Sequence, residues 1–206
     1  MNKVFIFDYD GTIVDSTNLV KAAFNRIAEK YGLKKTISDR EFGKLYEGNM
    51  YEELIKRGLD VARIKEFISD WIDPLLESYT SIKLFKGIKK VIAKLSINNK
   101  LYVITSNSSR VILSSIDHLG IKGVSEVLGG DKEKSKVVKI ESVKKYYSNC
   151  KVYYIGDTSG DMIEAKKADA ISIGVTWGLH SRKKLKDAGA DYIVDKPEEL
   201  LDVLVY

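Results

Sequence analysis

Five short apolar runs limit what this chain can become: VFIF (4–7), LYVIT (101–105), VYYI (152–155), ISIGV (171–175) and YIV (192–194). None alternates cleanly between apolar and polar residues. Each reads as a strand covered on both faces, the condition of a parallel sheet flanked by helices. EVLGG (126–130) is a poorer sixth candidate. Helical patterns stand between the later runs. Residues 108–119 carry Val111, Ile112, Ser115, Ile116 and Leu119 ahead of Gly120, and residues 135–147 place Val138, Val143, Tyr146 and Tyr147 on one side. Residues 197–204 open with Pro197, which suits the first turn of a helix. Strand and helix alternate from about residue 88 onward, which predicts an α/β fold with a Rossmann-like parallel sheet.

Residues 17–81 break that alternation with four helical patterns and no strand. NLVKAAFNRIAEKYG spaces Leu19, Ala23, Ile27 and Tyr31 at helical intervals and stops at Gly32. SDREFGKLY starts with Ser38 and has Glu41 three residues on, a capping box. YEELIKRG ends at Gly58, and VARIKEFISDWIDPLLESY runs until Pro74 bends or splits it. The expected division is a core of 1–16 and 82–206, with an all-helical cap, 17–81, inserted after the first strand.

The chain has 206 residues, 44% hydrophobic and 31% charged, enough to bury a core without cross-links. Cys150 is the single cysteine, so no intrachain disulfide forms, in keeping with a reducing compartment. No apolar run approaches the roughly 18 residues of a membrane span, and the N-terminal apolar stretch is too short for a signal peptide. A cytoplasmic protein is expected. The net charge is +5, but lysines alternate with glutamates in stretches such as KEKSKVVKIESVKK, the pattern of a solvated helix face. That argues against nucleic acid and is compatible with a small anionic substrate.

In an open parallel sheet, ligands bind at the carboxyl ends of the strands. Asp8 and Asp10 end the first strand, Thr105, Ser106 and Asn107 the second, and Asp157 the VYYIG strand, so all reach one edge. Taken alone, D-x-D-G-T is an Asx turn with a permissive Gly11, and GDTSGD is a turn with an acidic helix start. Together they gather three or four carboxylates, counting Asp161, in one crevice. Such a cluster repels itself unless a cation fills it, and oxygen ligands without a nearby His or Cys pair point to Mg²⁺. A carboxylate nucleophile at Asp8 with a proton donor at Asp10 suits phosphoryl transfer. Thr105 and the backbone N–H groups of Ser106 and Asn107 supply donors for the phosphoryl oxygens, and Lys134, just ahead of a Ser135-capped helix, supplies charge. Lys132 and Lys136 are neighbours that fit the same role, and most such lysines are simply solvated.

The motifs DYDGT, VITSN, a lysine opening a helix, and GDTSGD, in that order, resemble the haloacid dehalogenase-like hydrolase superfamily over nearly the whole chain. The helical insertion resembles the phosphoglycolate phosphatase and β-phosphoglucomutase branch, as do GVTWGLHS and AGADYIVDKPEEL. The third motif lacks the proline often found after its lysine in that branch. The resemblance implies that Asp8 forms an aspartyl-phosphate and ligates Mg²⁺, and that Asp10 acts as acid, then base, with its main-chain carbonyl on the metal. Thr105 and Lys134 would hold phosphate, Asp157 would complete the metal ligands, and Asp161 would orient the metal's waters or the lysine. Dehalogenases of the superfamily lack an acid at the position of Asp10, so phosphate chemistry is expected.

Asn49, Tyr51 and Arg26 are candidate contacts to the leaving group, with a solvent-facing role as the alternative; Trp177 either lines the pocket or packs. His118 and His180 show no ligand spacing. The expected activity is a Mg²⁺-dependent phosphatase acting on a small phosphorylated metabolite, phosphoglycolate-like or a sugar phosphate, as a monomer or homodimer. A sugar phosphomutase and a non-enzymatic phospho-accepting regulator are the alternatives.

Overall fold

The computed structural model describes residues 3–36 and 38–203. Its six-stranded sheet is parallel throughout and ordered β3-β2-β1-β4-β5-β6, with β1 Lys3–Phe7, β2 Lys100–Ile104, β3 Val124–Leu128, β4 Lys151–Gly156, β5 Ile171–Val175 and β6 Tyr192–Val194. The first strand is central because every one of its apolar residues is needed for cover: Phe5 and Phe7 join one buried cluster, Val4 and Ile6 the other. Phe7 is in register with Val103 of β2 and Ile155 of β4, so these three strands end side by side.

Helices α1 Thr17–Ile27, α2 Asp39–Gly43, α3 Met50–Lys56 and α4 Ile64–Ile72 fill the stretch before the second strand. The Ser38–Glu41 capping box forms as the sequence predicts, and Pro74 sits in a short 3-10 turn, Asp73–Leu75, that ends the fourth helix. Phe24, Phe67 and Trp71 pack edge to face with centroids 5.4–6.3 Å apart. These rings belong to the same apolar cluster as Phe5 and Phe7, so the helical segment seals one face of the sheet end. The chain is also tied together where it leaves for the segment and returns: Val14 bridges Leu84, and Asp15 donates its N–H to Lys83 O at 2.9 Å.

The remaining helices are α5 Ile88–Ser96, α6 Ser109–His118, α7 Lys136–Tyr146, α8 Ser159–Lys167, α9 Arg182–Asp187 and α10 Glu199–Val203. Pro197 lies in the turn before α10 rather than in its first turn, and Leu204 falls outside the described residues. In α7 the buried face differs from the apolar spacing: Lys136, Lys139, Ile140 and Val143 are buried, while Val138 and Tyr146 are exposed. The poorer EVLGG signal belongs to edge strand β3, which begins and ends two residues earlier than read and whose pairing with β2 shifts register between Leu101 and Tyr102. No helix among the described residues is long and apolar enough to cross a membrane.

Candidate active site

Asp8 follows β1 and donates its N–H to Ile155 O at 2.8 Å, which fixes it beside the end of β4, where Asp157 follows. One carboxylate oxygen from each of Asp8, Asp157 and Asp161 lies within 4.8 Å of the others, and all three residues are buried. Asp157 is held by Leu179 N–H on Oδ2 at 2.7 Å and by Thr12 Oγ1 on Oδ1 at 3.2 Å. Glycine is needed around it: Gly11 has φ +76°, and a Cβ there would stand 2.1 Å from Asp157 Oδ2.

Asp161 has its oxygens occupied. Thr158 N–H and Oγ1 donate to Oδ2 at 3.0 and 2.7 Å in a capping box that starts α8. Lys136 Nζ and Tyr154 OH donate to Oδ1 at 2.6 and 3.2 Å. Lys136 also reaches Asp8 Oδ2 at 3.2 Å. The lysine beside Asp8 is therefore Lys136, not Lys134. Ser135 caps α7 by accepting from Val138 N–H, which makes Lys136 the first helical residue and turns it into the sheet end. Lys134 precedes the cap and lies 5.7 Å over the Tyr51 ring. Lys139, from the next turn, donates to Thr105 O at 2.8 Å.

Charge is unevenly shared among these groups. Burial raises Asp8 well above the ordinary carboxylate range against the pull of Lys136, and Asp161, Asp157 and Asp10 add to the rise. Burial and Asp161 push Asp157 up to about 7. Asp161 is subject to the same burial penalty, but Lys136 and Thr158 outweigh it and hold it below the usual range. Lys136 pairs with both Asp161 and Asp8, and Asp157 has no ion pair among the described residues, so a single shared ammonium leaves Asp8 and Asp157 short of counter-charge. Their donors are all oxygen and their spacing is short, which fits a hard divalent cation between them.

Asp10 faces a different set of partners. Tyr79 OH and Ser16 Oγ donate to its Oδ1, the latter at 2.7 Å, and Asn107 Nδ2 donates to Oδ2 at 3.4 Å. Burial raises Asp10 above its ordinary value despite these hydrogen bonds. The Asn107 backbone N–H, read from sequence as a phosphate donor, instead donates to Thr105 Oγ1 at 2.9 Å, because the chain turns tightly after β2. The Thr105 hydroxyl, having accepted that bond, directs its own hydrogen elsewhere.

A cavity of about 60 Å³ lies over these groups. Its floor is Asp8, Asp10, Thr105, Ser106, Asn107, Lys136 and Asp157, and its roof includes Val20, Phe42, Tyr46, Met50, Trp71 and Ile72 from the helical segment. Sequence reasoning named none of these roof residues; their helical spacing marks them as apolar but not as facing a site. The four residues it did name as contacts lie elsewhere. Asn49 caps α3 and donates to Glu164 Oε1 at 3.1 Å, and Tyr51 OH donates to Ser106 O at 2.8 Å, so both dock the segment. Arg26 is exposed on α1. Trp177 packs 6.4 Å from Phe85 and donates its indole N–H to Thr12 O. His180 likewise serves docking: Ser159 N–H donates to Nδ1 at 2.8 Å, leaving Nε2–H for Gly43 O at 2.9 Å.

The family described as Haloacid dehalogenase-like hydrolase matches residues 5–175, which include every residue of this floor. The chain belongs to this family. Relatives of matching length place it with the family's phosphatases. A phosphoglycolate phosphatase of Synechococcus elongatus is 25% identical over 98% of this chain and 97% of its own. One from Colwellia psychrerythraea is 26% identical over 97% and 95%. Solved structures with the same fold include a haloacid dehalogenase-like family hydrolase from Streptococcus pneumoniae (TM-score 0.78, 23% identity, 98% of both chains) and a hydrolase from Pseudomonas syringae (TM-score 0.81, 19% identity, 99% and 98%).

Proposed function

We propose that the site hydrolyses a small phosphate monoester through a phosphoaspartate on Asp8, beneath a cap formed by residues 17–81. The observation that carries this reading is the gathering of Lys136 and the Asp157 carboxylate close to Asp8, with a separately held carboxyl group, Asp10, facing the same cavity. An oxygen of Asp8 attacks phosphorus while Asp10 gives a proton to the departing ester oxygen. Asp10, now a carboxylate, takes a proton from water as that water attacks the phosphoaspartate and frees Asp8 and inorganic phosphate. Thr105, the N–H of Ser106 and Lys136 are the donors to the phosphoryl oxygens.

Asp8 and Asp157 are the side chains that would hold Mg²⁺, with the main-chain carbonyl of Asp10. Bound there, the ion supplies positive charge that offsets the carboxylates and the phosphoryl oxygens. Asp161 anchors the lysine. The name carried by these relatives makes phosphoglycolate the first ester to try, followed by the sugar phosphates that the motif resemblance implies, in a cytoplasmic setting.

The test is phosphate release from an aryl phosphate by the purified protein. Asp8→Asn and excess chelator are each expected to remove nearly all of it, with Mg²⁺ restoring the chelated enzyme. Undiminished release under either condition would refute the mechanism. Appearance of an isomer rather than free sugar from a hexose 1-phosphate would show a mutase instead.

A further inference from the structure

We propose that Tyr79 is a positioning residue for Asp10, holding its carboxylate so that Oδ2 is the oxygen that gives up the proton. This deepens the assignment of Asp10 as the acid and rests on it. Tyr79 is fully buried in a 3-10 turn, Ser78–Thr80, far along the chain from the motif that contains Asp10. Its hydroxyl and that of Ser16 both bond Asp10 Oδ1.

The direction of these bonds follows from Asn107. Ser108 N–H donates to Asn107 Oδ1 at 2.7 Å, which fixes the amide, so Nδ2 faces Tyr79 OH at 3.0 Å as donor. The phenol oxygen accepts there, and its one hydrogen goes to Asp10. With a second hydroxyl hydrogen arriving from Ser16, Oδ1 is a doubly occupied acceptor and does not carry the acid proton. Oδ2 retains one long contact, the 3.4 Å bond from Asn107. When the P–O ester bond breaks, its electron pair stays with the leaving oxygen and the Oδ2 proton moves to it. The carboxylate that remains is still held at Oδ1.

The phenol is itself immobilised. Its ring stacks on Tyr9 with centroids 6.4 Å apart. The carbonyl of Tyr79 accepts from Ser115 Oγ at 2.9 Å, and Ser115 Oγ accepts from Tyr9 OH at 2.7 Å. Removing the hydroxyl alone leaves this frame in place, which makes Tyr79→Phe a clean perturbation.

The experiment compares kcat/KM for p-nitrophenyl phosphate, whose leaving group departs without a proton, with that for n-butyl phosphate, whose leaving group needs one. This parameter covers transfer to Asp8 and omits the later attack by water. In Tyr79→Phe the loss on the alkyl ester is expected to exceed the loss on the aryl ester by about threefold to tenfold, a fraction of what general acid catalysis supplies. Asp10→Asn is expected to discriminate in the same direction and more strongly, with Tyr79→Phe adding no further discrimination in that background. Ser16→Ala, which removes the other hydroxyl on Oδ1, is expected to act in the same direction and serves if Tyr79→Phe folds poorly. Discrimination under about threefold in Tyr79→Phe, when Asp10→Asn does discriminate, overturns the role of Tyr79 alone. An Asp10→Asn variant that treats both esters alike overturns the acid assignment and this role with it.

Discussion

Replacing Lys136 with methionine tests the electrostatic frame of the site most directly. The ammonium sits 2.6 Å from Asp161 and 3.2 Å from Asp8, with all three side chains buried. Methionine keeps the packing and removes the charge, which leaves Asp161 ionised among Thr158 and Tyr154 with no cation. Breaking a buried pair from one side costs about 3–5 kcal/mol. At about 2–4 °C per kcal/mol for a chain of this length, the melting temperature should fall by roughly 6–20 °C. The melt is followed by circular dichroism at pH 7 in excess chelator, so that no bound cation takes over the missing charge. Lys134→Met is the control: its ammonium lies over Tyr51 at 5.7 Å, a contact of about 0.5–1 kcal/mol, and should cost only a few degrees. Adding Asp161→Asn to Lys136→Met should recover part of the loss, because the orphaned charge goes too. A Lys136→Met protein melting within about 3 °C of the parent, or less affected than Lys134→Met, would refute the pairing.

Three further outcomes follow from single contacts. Gly11→Ala places a methyl 2.1 Å from Asp157 Oδ2 at a left-handed φ, and should weaken Mg²⁺ binding in calorimetric titration by about tenfold or more; unchanged affinity would separate Asp157 from the cation. His180 is held below its usual range by burial, against the hydrogen bond to Gly43, so between its folded and unfolded values the unfolded chain binds more protons and stability falls as pH drops below 6.5. The stability advantage of the parent over His180→Gln should therefore shrink from pH 8 to pH 5, by up to about 1.4 kcal/mol per pH unit, and a constant difference across melts would contradict this. Asn49→Ala and Tyr51→Phe should each cost about 1 kcal/mol while leaving the order of preference among phosphate esters as it was, since neither side chain lines the cavity; a reordered substrate profile would return them to the site.

What the sequence disclosed depended on how local each signal was. The central strands were plain because residues such as Phe5 and Ile6 must be apolar on opposite faces, whereas β3 at the edge buries little beyond Val127 and was placed late. Asp8, Asp10, Asp157 and Asp161 were legible because strand ends bring short motifs to one edge. The lysine was misplaced for a physical reason. In α7 the site side of the helix buries Lys136 and Lys139, so although Ser135 caps the helix as read, the apolar pattern that includes Val138 and Tyr146 marks the wrong face and hides the lysine that turns inward. Tyr79 and the roof carry no motif at all, since their roles arise only when the helical segment meets the sheet.

That meeting divides the site into two halves of different origin. Asp8 and Asp157 directly follow β1 and β4, and Lys136 and Asp161 stand in the first turns of α7 and α8, so the groups that the proposed mechanism uses as nucleophile and cation site are placed without the helical segment. Asp10 Oδ1, in contrast, takes its two hydroxyl bonds from Ser16 and Tyr79, which lie where the chain leaves for the helical segment and where it returns. The proposed acid is thus oriented by the two crossings themselves. On the proposed mechanism, a displacement of the segment acts on the proton delivered to the leaving group, while the proposed phosphate site stays fixed by the sheet. On that mechanism, selectivity for the leaving group and affinity for the phosphoryl group are therefore separable, because different parts of the chain set the two.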